Sequence, residues 1–446
     1  MIVRTLFSVL LVCSCFATPA AEPLMIGPRG GASLGAEIFA RVHPAVVVLR
    51  TRLAGSERNT SSGSGFLVAP DGRAITNYHV VAEYLFEPKK FALTYQDADG
   101  ATGTVQVVAI DVLNDLAVVA LQNLPVRDGR RAMLVLPDSA QWRTPQLGEA
   151  VFAFGNPLDL GVTISAGSYS GVVPGTFDSR IHFTGSLNPG MSGGPAVDRA
   201  GRLVGINVAR AVDGQSVSFL VPGSRATELF ARTRDATPLR TDELRHEVGD
   251  QLRRRDAYTR ELALATPWRQ ETLGGFLIPT FLDDYMECSS GSNDSTSSPP
   301  PARTQTISCT LKTSAAPILN TRSATQSYRN VLVQARSSGS LNAFQLAAIA
   351  TPAFNNGLGS ARSGTMARQR CTNRYTQAGP RNDLPVRLVW CAQAYRDFPG
   401  IYDVQVALAA QDATDAILVS RISLEGVTWP TALAYTNRLL EGTERQ

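Results

Sequence analysis

The sequence predicts an all-β barrel or sandwich in its first half and a second domain that combines strands with helices. From about residue 45 to residue 222, short apolar segments alternate with turn residues, as in GSGFLVAP, LAVVAL and EAVFAFG. No strand in this part is followed by a long helical segment, which argues against a parallel α/β sheet. After Pro222 the composition changes to charged, amphipathic segments and then to strands that carry four cysteines.

The first half is predicted to begin with a short helix and to continue as strands. GAEIFARVHP is typical of a helix, and the run Ala45–Leu49 is typical of a buried strand. Further strands are expected in AITNYHVV, FALTYQD, TVQVVAI, RIHFTG, RLVGINVA and SVSFLVP, which are separated by turn residues. The segment GSRATELFARTRD is expected to close this half as a helix.

The second half is predicted to be mixed. Thr241–Ala265 has apolar residues near helical spacing on a charged background, which indicates an amphipathic helix that bridges two domains or covers the second. Met286–Arg303 is rich in Ser and Pro and is expected to be a flexible polar loop. Beyond it we expect strands near ISCTLKT, VRLVWCAQAY, YDVQVALAA and AILVSRISLEGV, with helices around Ser327–Val333 and Thr428–Leu440.

Length and composition limit the class of protein. A chain of 446 residues is long enough for two or three domains, and a hydrophobic content of 44% supports packed cores. The formal net charge is +4, and the sequence has no basic run with interleaved aromatic residues. This composition argues against a nucleic-acid partner.

The first residues have the pattern of a secretory signal. Arg4 precedes an apolar run, Leu6–Ala17, and small residues follow, so we expect cleavage after Ala20. In an alternative interpretation Cys15 carries a lipid anchor, although Cys13 fits that signal poorly. No later apolar run reaches the roughly 18 residues that a membrane span requires. We therefore expect an exported protein, periplasmic or secreted.

Four cysteines remain once the leader is removed, and all lie in the second half: Cys288, Cys309, Cys371 and Cys391. An even number of cysteines in an exported chain indicates disulfides. Four cysteines allow three pairings, and the sequence alone does not choose among them. We favour Cys288–Cys309 and Cys371–Cys391, because each pair brackets a polar, turn-rich segment.

The segment Asn188–Pro195, NPGMSGGP, places Ser192 among glycines and prolines. A tight turn between strands would have this composition. The alternative is a nucleophile on a loop whose free N–H groups bind an oxyanion. A serine nucleophile needs a base, and the base needs an orienting acceptor. His79, after a strand and a turn, and Asp115, directly before an apolar strand, are the candidates for these two roles.

Other residues of the same types have simpler interpretations. Asp111 stands farther from the strand than Asp115 and is expected to support the turn. His43 is followed by a proline at a helix–strand junction, His182 alternates within a strand, and His246 lies on a charged helix. We expect structural or solvated roles for these three histidines.

The glycines around Ser192 also match the G-x-S-x-G elbow of α/β-hydrolases. In that fold the acid and the histidine follow the serine in the chain, and a helix starts directly behind it. Here the only later histidine is His246, and strand-like sequence follows Pro195. The elbow interpretation is therefore rejected, and the order His79, Asp115, Ser192 is retained.

Four segments together resemble the protease domain of the HtrA-type trypsin-like serine proteases: GSGFLVAPDGRAITNYHVV, NDLAVVAL, VFAFGNPLDLGVTISAGSYSGV and NPGMSGGPAVDRAGRLVGINVA. The resemblance covers roughly Ala36–Thr233. It implies a chymotrypsin-like double β-barrel with the site in the cleft between the barrels. It also implies hydrolysis of polypeptides without a metal or a cofactor.

The resemblance assigns a role to each site residue. It implies that Ser192 is the nucleophile, His79 the general base, and Asp115 the residue that orients the imidazole. The backbone N–H groups of Gly190 and Ser192 would form the oxyanion hole. The specificity pocket would have an uncharged lining, which favours a small or medium apolar side chain of the substrate. By position, this lining comprises Ser186, Asn207, Val208 and Ala209.

The chain departs from the family pattern at two points. Met191 occupies a position where the family commonly has Asn and digestive relatives have an Asp that pairs with a newly cut N-terminus. A thioether cannot make that ion pair, so activation by that route is not expected. Second, the PDZ modules that usually follow an HtrA protease domain are not recognisable here, so a role in protein quality control is not inherited from the resemblance.

The sequence thus predicts a signal peptide at residues 1–20, a protease domain at 36–235, a helical connector at 236–270 and an accessory domain with two disulfides at 271–446. The predicted function is that of an exported serine endopeptidase. The alternative is a protease-fold protein that binds partners through its C-terminal domain with weak or no turnover. Labelling by a fluorophosphonate distinguishes the two.

Overall fold

The computed structural model describes residues 33–446, except for 57, 127–131, 138–141, 175–178, 211–216, 234–237, 239, 266, 281–284, 295–299, 312–317, 320–321, 325, 337–340, 356–364 and 411–414. The predicted signal peptide, with its cleavage site after Ala20 and the alternative anchor Cys15, lies outside the described residues. Within the described ranges, no helix has both the length and the apolar character needed to cross a bilayer.

Two closed, six-stranded antiparallel barrels make up the first half and confirm the double β-barrel. The first contains β1 (Val46–Leu53), β2 (Asn59–Leu67), β3 (Arg73–Thr76), β4 (Phe91–Gln96), β5 (Thr102–Asp111) and β6 (Leu116–Leu121), in the order β1-β2-β3-β6-β5-β4. The second contains β7 (Ala150–Gly155), β8 (Thr163–Val172), β9 (Ile181–Phe183), β10 (Pro195–Val197), β11 (Leu203–Arg210) and β12 (Ser218–Pro222), in the order β10-β11-β12-β9-β8-β7. Closure lets such short strands bury their apolar faces without leaving a free edge.

Within the described residues, three α-helices accompany the barrels: α1 (Leu34–Val42), α2 (Tyr78–Phe86) and α3 (Gly223–Ala231). The first and the third are the helices that the sequence predicts. The second corrects the prediction for AITNYHVV, in which the strand ends at Thr76 and a helix begins two residues later. Its buried Val80 and Val81 are β-branched, and a short β-branched run is more typical of a strand.

The second half is an α+β domain, as predicted, built around a seven-stranded antiparallel sheet. Its elements in chain order are α4 (Thr241–Leu264), β13 (Arg269–Leu273), β14 (Phe276–Thr280), β15 (Met286–Ser292), β16 (Ala302–Leu311), β17 (Ile318–Leu319), β18 (Arg322–Ser323), β19 (Gln326–Ala335), α5 (Ala343–Asn355), β20 (Arg370–Ala378), β21 (Leu384–Ala394), β22 (Ile401–Ala410), β23 (Ala416–Thr428), α6 (Trp429–Gly442) and β24 (Glu444–Arg445). The sheet has the order β15-β16-β19-β23-β22-β21-β20, with α5 packed on one face and α6 on the other.

Three predictions in this half are wrong. The helix predicted at Ser327–Val333 is the strand β19. Both faces of this strand are covered from Asn330 to Val333, so its apolar residues occupy adjacent positions there and lose the alternation that marks a strand. Met286–Ser292, predicted as loop, is the edge strand β15, and the excursion predicted between Cys371 and Cys391 is the hairpin of β20 and β21. Both edge strands are polar and exposed, so they lack an apolar pattern.

Each disulfide joins two residues that face each other directly across an outermost pair of strands. Cys288 is bonded to Cys309 across β15 and β16, and Cys371 to Cys391 across β20 and β21. This is the sequential pairing that the sequence favours. The edge strands β15 and β20 each bury a single residue. The covalent bonds therefore hold the two edges of the sheet at places where the core contributes little.

Helix α4 connects the two halves through a shared core. Apolar residues on one side of this helix are buried together with side chains of the first barrel and with Phe398 of the second half: Leu244, Val248 and Leu252. The ring of Phe398 contacts Phe86 of α2 edge to face, with centroids 5.7 Å apart. The amphipathic helix is thus present as predicted, and the core of the first barrel extends onto it.

Candidate active site

His79 and Asp115 meet at the N-terminus of α2. Nδ1 of His79 lies 2.6 Å from Oδ2 of Asp115, and the backbone N–H of His79 donates to Oδ1 at 2.9 Å. The backbone carbonyl of Asp115 accepts from Nδ2 of Asn77 at 2.7 Å and from the N–H of Tyr78 at 3.2 Å. The first turn of a helix has unpaired N–H groups and favours a negative charge. Asp115 therefore fixes both the imidazole and the helix that carries it.

The environment of His79 has opposing effects on its charge. Burial alone would lower the pKa of His79, because it disfavours the imidazolium. The negative charge of Asp115 and the hydrogen bond to its carboxylate act in the other direction and are together stronger, so the pKa is raised above its ordinary value of 6.5. This ring can therefore accept a proton, and the resulting imidazolium is stabilised by Asp115.

The segment Asn188–Pro195, here called the serine loop, lies against the first barrel. Gly190 and Gly193 have φ angles of +96° and +85°, which favour glycine. A Cβ on Gly193 would clash with the carbonyl of Ser64 on β2 and with Oγ1 of Thr76. Because Thr76 lies just before α2, glycine at 193 allows the loop to approach the helix of His79. Close approach, and not a tight turn alone, is the reason for these glycines.

Two N–H groups of the serine loop are held without a partner. The carbonyl that precedes Gly190 accepts from the N–H of Leu158 at 2.9 Å, and the carbonyl that precedes Ser192 accepts from Nδ2 of Asn207 at 3.1 Å. The N–H of a trans peptide points opposite to its carbonyl, so these bonds also set the directions of the Gly190 and Ser192 N–H groups. Among the described residues, neither N–H has a hydrogen-bond partner. The loop thus offers two free donors.

Ser64 is a site residue that the sequence analysis does not identify. Its side chain is fully buried, and its Oγ donates to the carbonyl of Gly190 at 2.7 Å and accepts from the N–H of Asn156 at 3.0 Å. Its backbone N–H donates to the carbonyl of Ser192 at 2.7 Å. Ser64 therefore ties the serine loop of the second barrel to the first. In the sequence, the only indication of this role is the single serine in GSGFLVAP.

Met191 anchors the serine loop from the opposite side. Its side chain is 2% exposed and is buried in the apolar core of the second barrel, together with Phe183, Leu187 and Leu220. Burial of a methionine side chain stabilises by about 1.5–3 kcal/mol. At the position where digestive relatives use an ion pair, this chain uses apolar packing.

The four residues predicted to line a specificity pocket do not share one environment. The hydroxyl of Ser192 donates to the carbonyl of Val208 at 3.3 Å, and Val208 lies at an irregularity in the pairing of β11 with β12. Ser186 is exposed, upstream of the serine loop. Asn207 is fully buried and its amide bonds the backbone, so its side chain supports the loop and does not line a cleft. The side chain of Ala209 lies outside the described part.

The competing candidates have the placements expected of structural residues. Asp111 accepts from the backbone N–H and the side-chain amide of Asn114, at 3.0 and 2.9 Å, and so closes the turn. His43 stacks on a phenylalanine of α1 with ring centroids 4.7 Å apart, and His182 lies within β9. His246 is exposed on α4 and pairs with a carboxylate one turn away at 3.4 Å.

Part of the first half of the chain is similar to known proteins. Residues 63–206 match the family described as the trypsin-like peptidase domain. A probable periplasmic serine endoprotease, DegP-like, of Brucella suis is 34% identical over 182 residues, which are 39% of this chain and 33% of that protein. The human serine protease HTRA3 is 32% identical over 234 residues, 49% of each chain. This chain thus matches between a third and a half of these relatives' length.

The chain is also similar to a solved structure. The crystal structure of the serine endoprotease from Yersinia pestis is 30% identical in sequence, with 46% of this chain and 68% of that chain covered and a TM-score of 0.37. The covered share of this chain is less than half.

Proposed function

We propose, from the trypsin-like peptidase domain at residues 63–206 and the similarity to HtrA-type serine proteases, that this chain is an exported serine endopeptidase. The observation that carries the proposal is that two features occur together in this site. One is the short contact between His79 and Asp115, and the other is a serine loop with two unpartnered N–H groups. A base oriented by a carboxylate and a pair of free donors are the parts that acyl transfer requires.

In the first step Oγ of Ser192 attacks the carbonyl carbon of the scissile peptide. Nε2 of His79 takes the hydroxyl proton, while the Nδ1–H remains bonded to Asp115. The negative charge that develops on the carbonyl oxygen is bound by the N–H groups of Gly190 and Ser192. The hydroxyl leaves its contact with Val208 as it turns to the base. No metal or cofactor is required for this step.

His79 then gives its proton to the leaving amine, and the C–N bond breaks to leave an ester on Ser192. In the second step His79 takes a proton from water, the hydroxide attacks the ester carbon, and the proton returns to Oγ. The same two N–H groups stabilise the second oxyanion. Apart from the turn of the Ser192 hydroxyl away from Val208, each step uses protein groups that are already positioned, without an ion pair at Met191.

The proposal includes the arrangement of the chain. We assign the protease domain to residues 36–235, the connector to 236–270 and the accessory domain to 271–446, with a signal peptide at 1–20. Two disulfides support export to the periplasm or the medium, because disulfides persist in oxidising compartments. The uncharged Ser186 and Val208, both beside the serine loop, support a preference for small or medium apolar side chains.

Activity should rise with pH through the titration of His79. The imidazole must be neutral to accept the serine proton, and the pKa of His79 is raised above its ordinary 6.5. We therefore expect kcat/KM on a fluorogenic peptide to be low in acid and to reach half of its maximum above pH 6.5. A profile that is flat from acid to neutral pH, or a midpoint below that value, would contradict His79 as the base.

Replacement of Met191 tests the apolar anchor. Met191→Asp puts a carboxylate into the core of the second barrel, which should displace the adjacent Ser192 N–H and lower kcat by about 100- to 1,000-fold, the cost of one lost oxyanion donor. Met191→Leu, which conserves volume, should stay within a few-fold of the unmodified enzyme. The affinity for a peptide aldehyde, which mimics the oxyanion, should fall with kcat while KM changes little. Full activity of the Asp variant would refute the anchor.

A further inference from the structure

Two arginines face each other in the middle of the accessory sheet. Arg329 of β19 and Arg421 of β23 are directly paired in the antiparallel register. Side chains at such positions have Cβ atoms about 5 Å apart, and like charges there are destabilising. The two strands are neighbours near the centre of a seven-stranded sheet, so neither arginine can turn away over a sheet edge.

Among the residues that the structure describes, no acidic side chain pairs with either arginine, and Nε of Arg421 is buried without a hydrogen bond. The surrounding register positions on the same face carry neutral donors instead: Ser308 beside Arg329, and Ser327, Ser423 and Gln405 in the next row. Burial, and then the charge of Arg329, lower the pKa of Arg421.

The pair is accessible from solvent. Helix α5 covers the same face farther along the strands, where it packs on Val331 and Val419 two residues away. Arg329 is exposed and Arg421 is half-buried, so the guanidinium groups lie at the border of the covered area. On its other side Arg421 is paired with Ala407, which is fully buried, so the pair is open to solvent on the side of the exposed Arg329.

We propose that Arg329 and Arg421 form a binding site for a tetrahedral oxyanion, a phosphate or sulfate group. Two guanidinium forks with fixed donor geometry can each bind two oxygens of one such group, whereas a planar carboxylate occupies a single fork. The hydroxyls of Ser327 and Ser423 and the amide of Gln405 are additional donors. A bound dianion would turn the repulsion between the arginines into two attractive contacts. This site does not depend on the protease activity.

The test is a thermal unfolding titration of the full chain in the Ser192→Ala background, which removes autolysis. Trp390 and Trp429 pack edge to face with centroids 4.6 Å apart, and three of the four tryptophans lie in this half, so tryptophan fluorescence reports mainly its unfolding. Millimolar phosphate or sulfate, with sodium chloride keeping the ionic strength constant, should raise the unfolding midpoint by a few degrees. O-phosphoserine, a phosphate monoester, is titrated in the same way. A larger shift than that with phosphate indicates an esterified ligand, and a smaller shift indicates free phosphate.

The variant Arg329→Gln distinguishes anion binding by Arg329 from a purely structural role of this residue. Because it removes repulsion, the variant should unfold at a higher temperature than its parent without the anion, and should lose the shift with it. Arg374→Gln, at an exposed position of the edge strand, is the matched control and should keep the shift. An unmodified chain that does not respond to phosphate or sulfate, or a response that survives Arg329→Gln, would overturn the proposal.

Discussion

Ser192→Ala should lower the hydrolysis of casein at least about 10⁴-fold while leaving the protein folded. The loss is large because the acyl-enzyme requires the hydroxyl, and the remaining N–H donors stabilise an oxyanion only when a nucleophile has attacked. The fold should persist because the hydroxyl makes one hydrogen bond, to the carbonyl of Val208 at 3.3 Å. Steady-state kinetics with the purified variant, together with its circular dichroism spectrum, give both results.

A fluorophosphonate probe separates catalysis from binding in the same experiment. The unmodified chain should be labelled at Ser192 alone, and the Ala variant should not be labelled. Ser289→Ala, at an exposed position of β15, is the control and should keep both labelling and turnover. A folded, unmodified chain that resists the probe would favour the alternative of a protease-fold binding protein.

Asp115→Asn should lower kcat by about 10⁴-fold with little change in KM. The amide cannot accept from Nδ1–H and from the backbone N–H of His79 as the carboxylate does, so the ring loses the required tautomer and orientation. Removal of the charge also leaves burial as the dominant influence on His79, so its pKa should fall. The midpoint of the residual pH profile should therefore move to lower pH. A general loss of stability in acid would move this midpoint to higher pH.

Asp111→Asn is the matched control for this substitution. Asp111 lies four residues earlier, in the same turn. Among the described residues, only Asn114 lies within hydrogen-bond distance of its carboxylate. Its variant should keep kcat within a few-fold and should leave the pH midpoint in place. Equal losses in the two variants would show that the turn, and not the carboxylate of Asp115, determines the rate.

The strand pattern predicted an all-β barrel or sandwich, and the resemblance to HtrA-type proteases narrowed this fold class to the double barrel. The order of His, Asp and Ser in specific motifs restricted the choice among four histidines and so predicted the pairing of His79 with Asp115. The supports of the site were not predictable in this way. Ser64 bonds carbonyls of the serine loop that come close only after the two barrels pack. Asn207 bonds carbonyls that come together when the second barrel closes. No local pattern records either contact.

The errors in secondary structure have a similar cause. The middle of strand β19, Val331–Val333, is apolar on both faces, which are covered by α5 and α6, and this burial depends on elements far away in the chain. The helix α2 is buried in the first barrel, so its apolar residues surround it and show no amphipathic period. In both cases the tertiary environment, and not local preference, set the pattern.

The position of the disulfides has a consequence for solubility. A strand with unpaired N–H and C=O groups is a template for pairing with another chain, and the outermost strands of this sheet, β15 and β20, have little apolar contact to hold them in place. If either strand separated, its neighbour β16 or β21 would present a long backbone edge from the centre of the sheet. Oxidation at Cys288–Cys309 and Cys371–Cys391 keeps those inner edges covered. In a reducing compartment the same chain would be open to edge-to-edge aggregation, so an oxidising compartment would protect it from self-association.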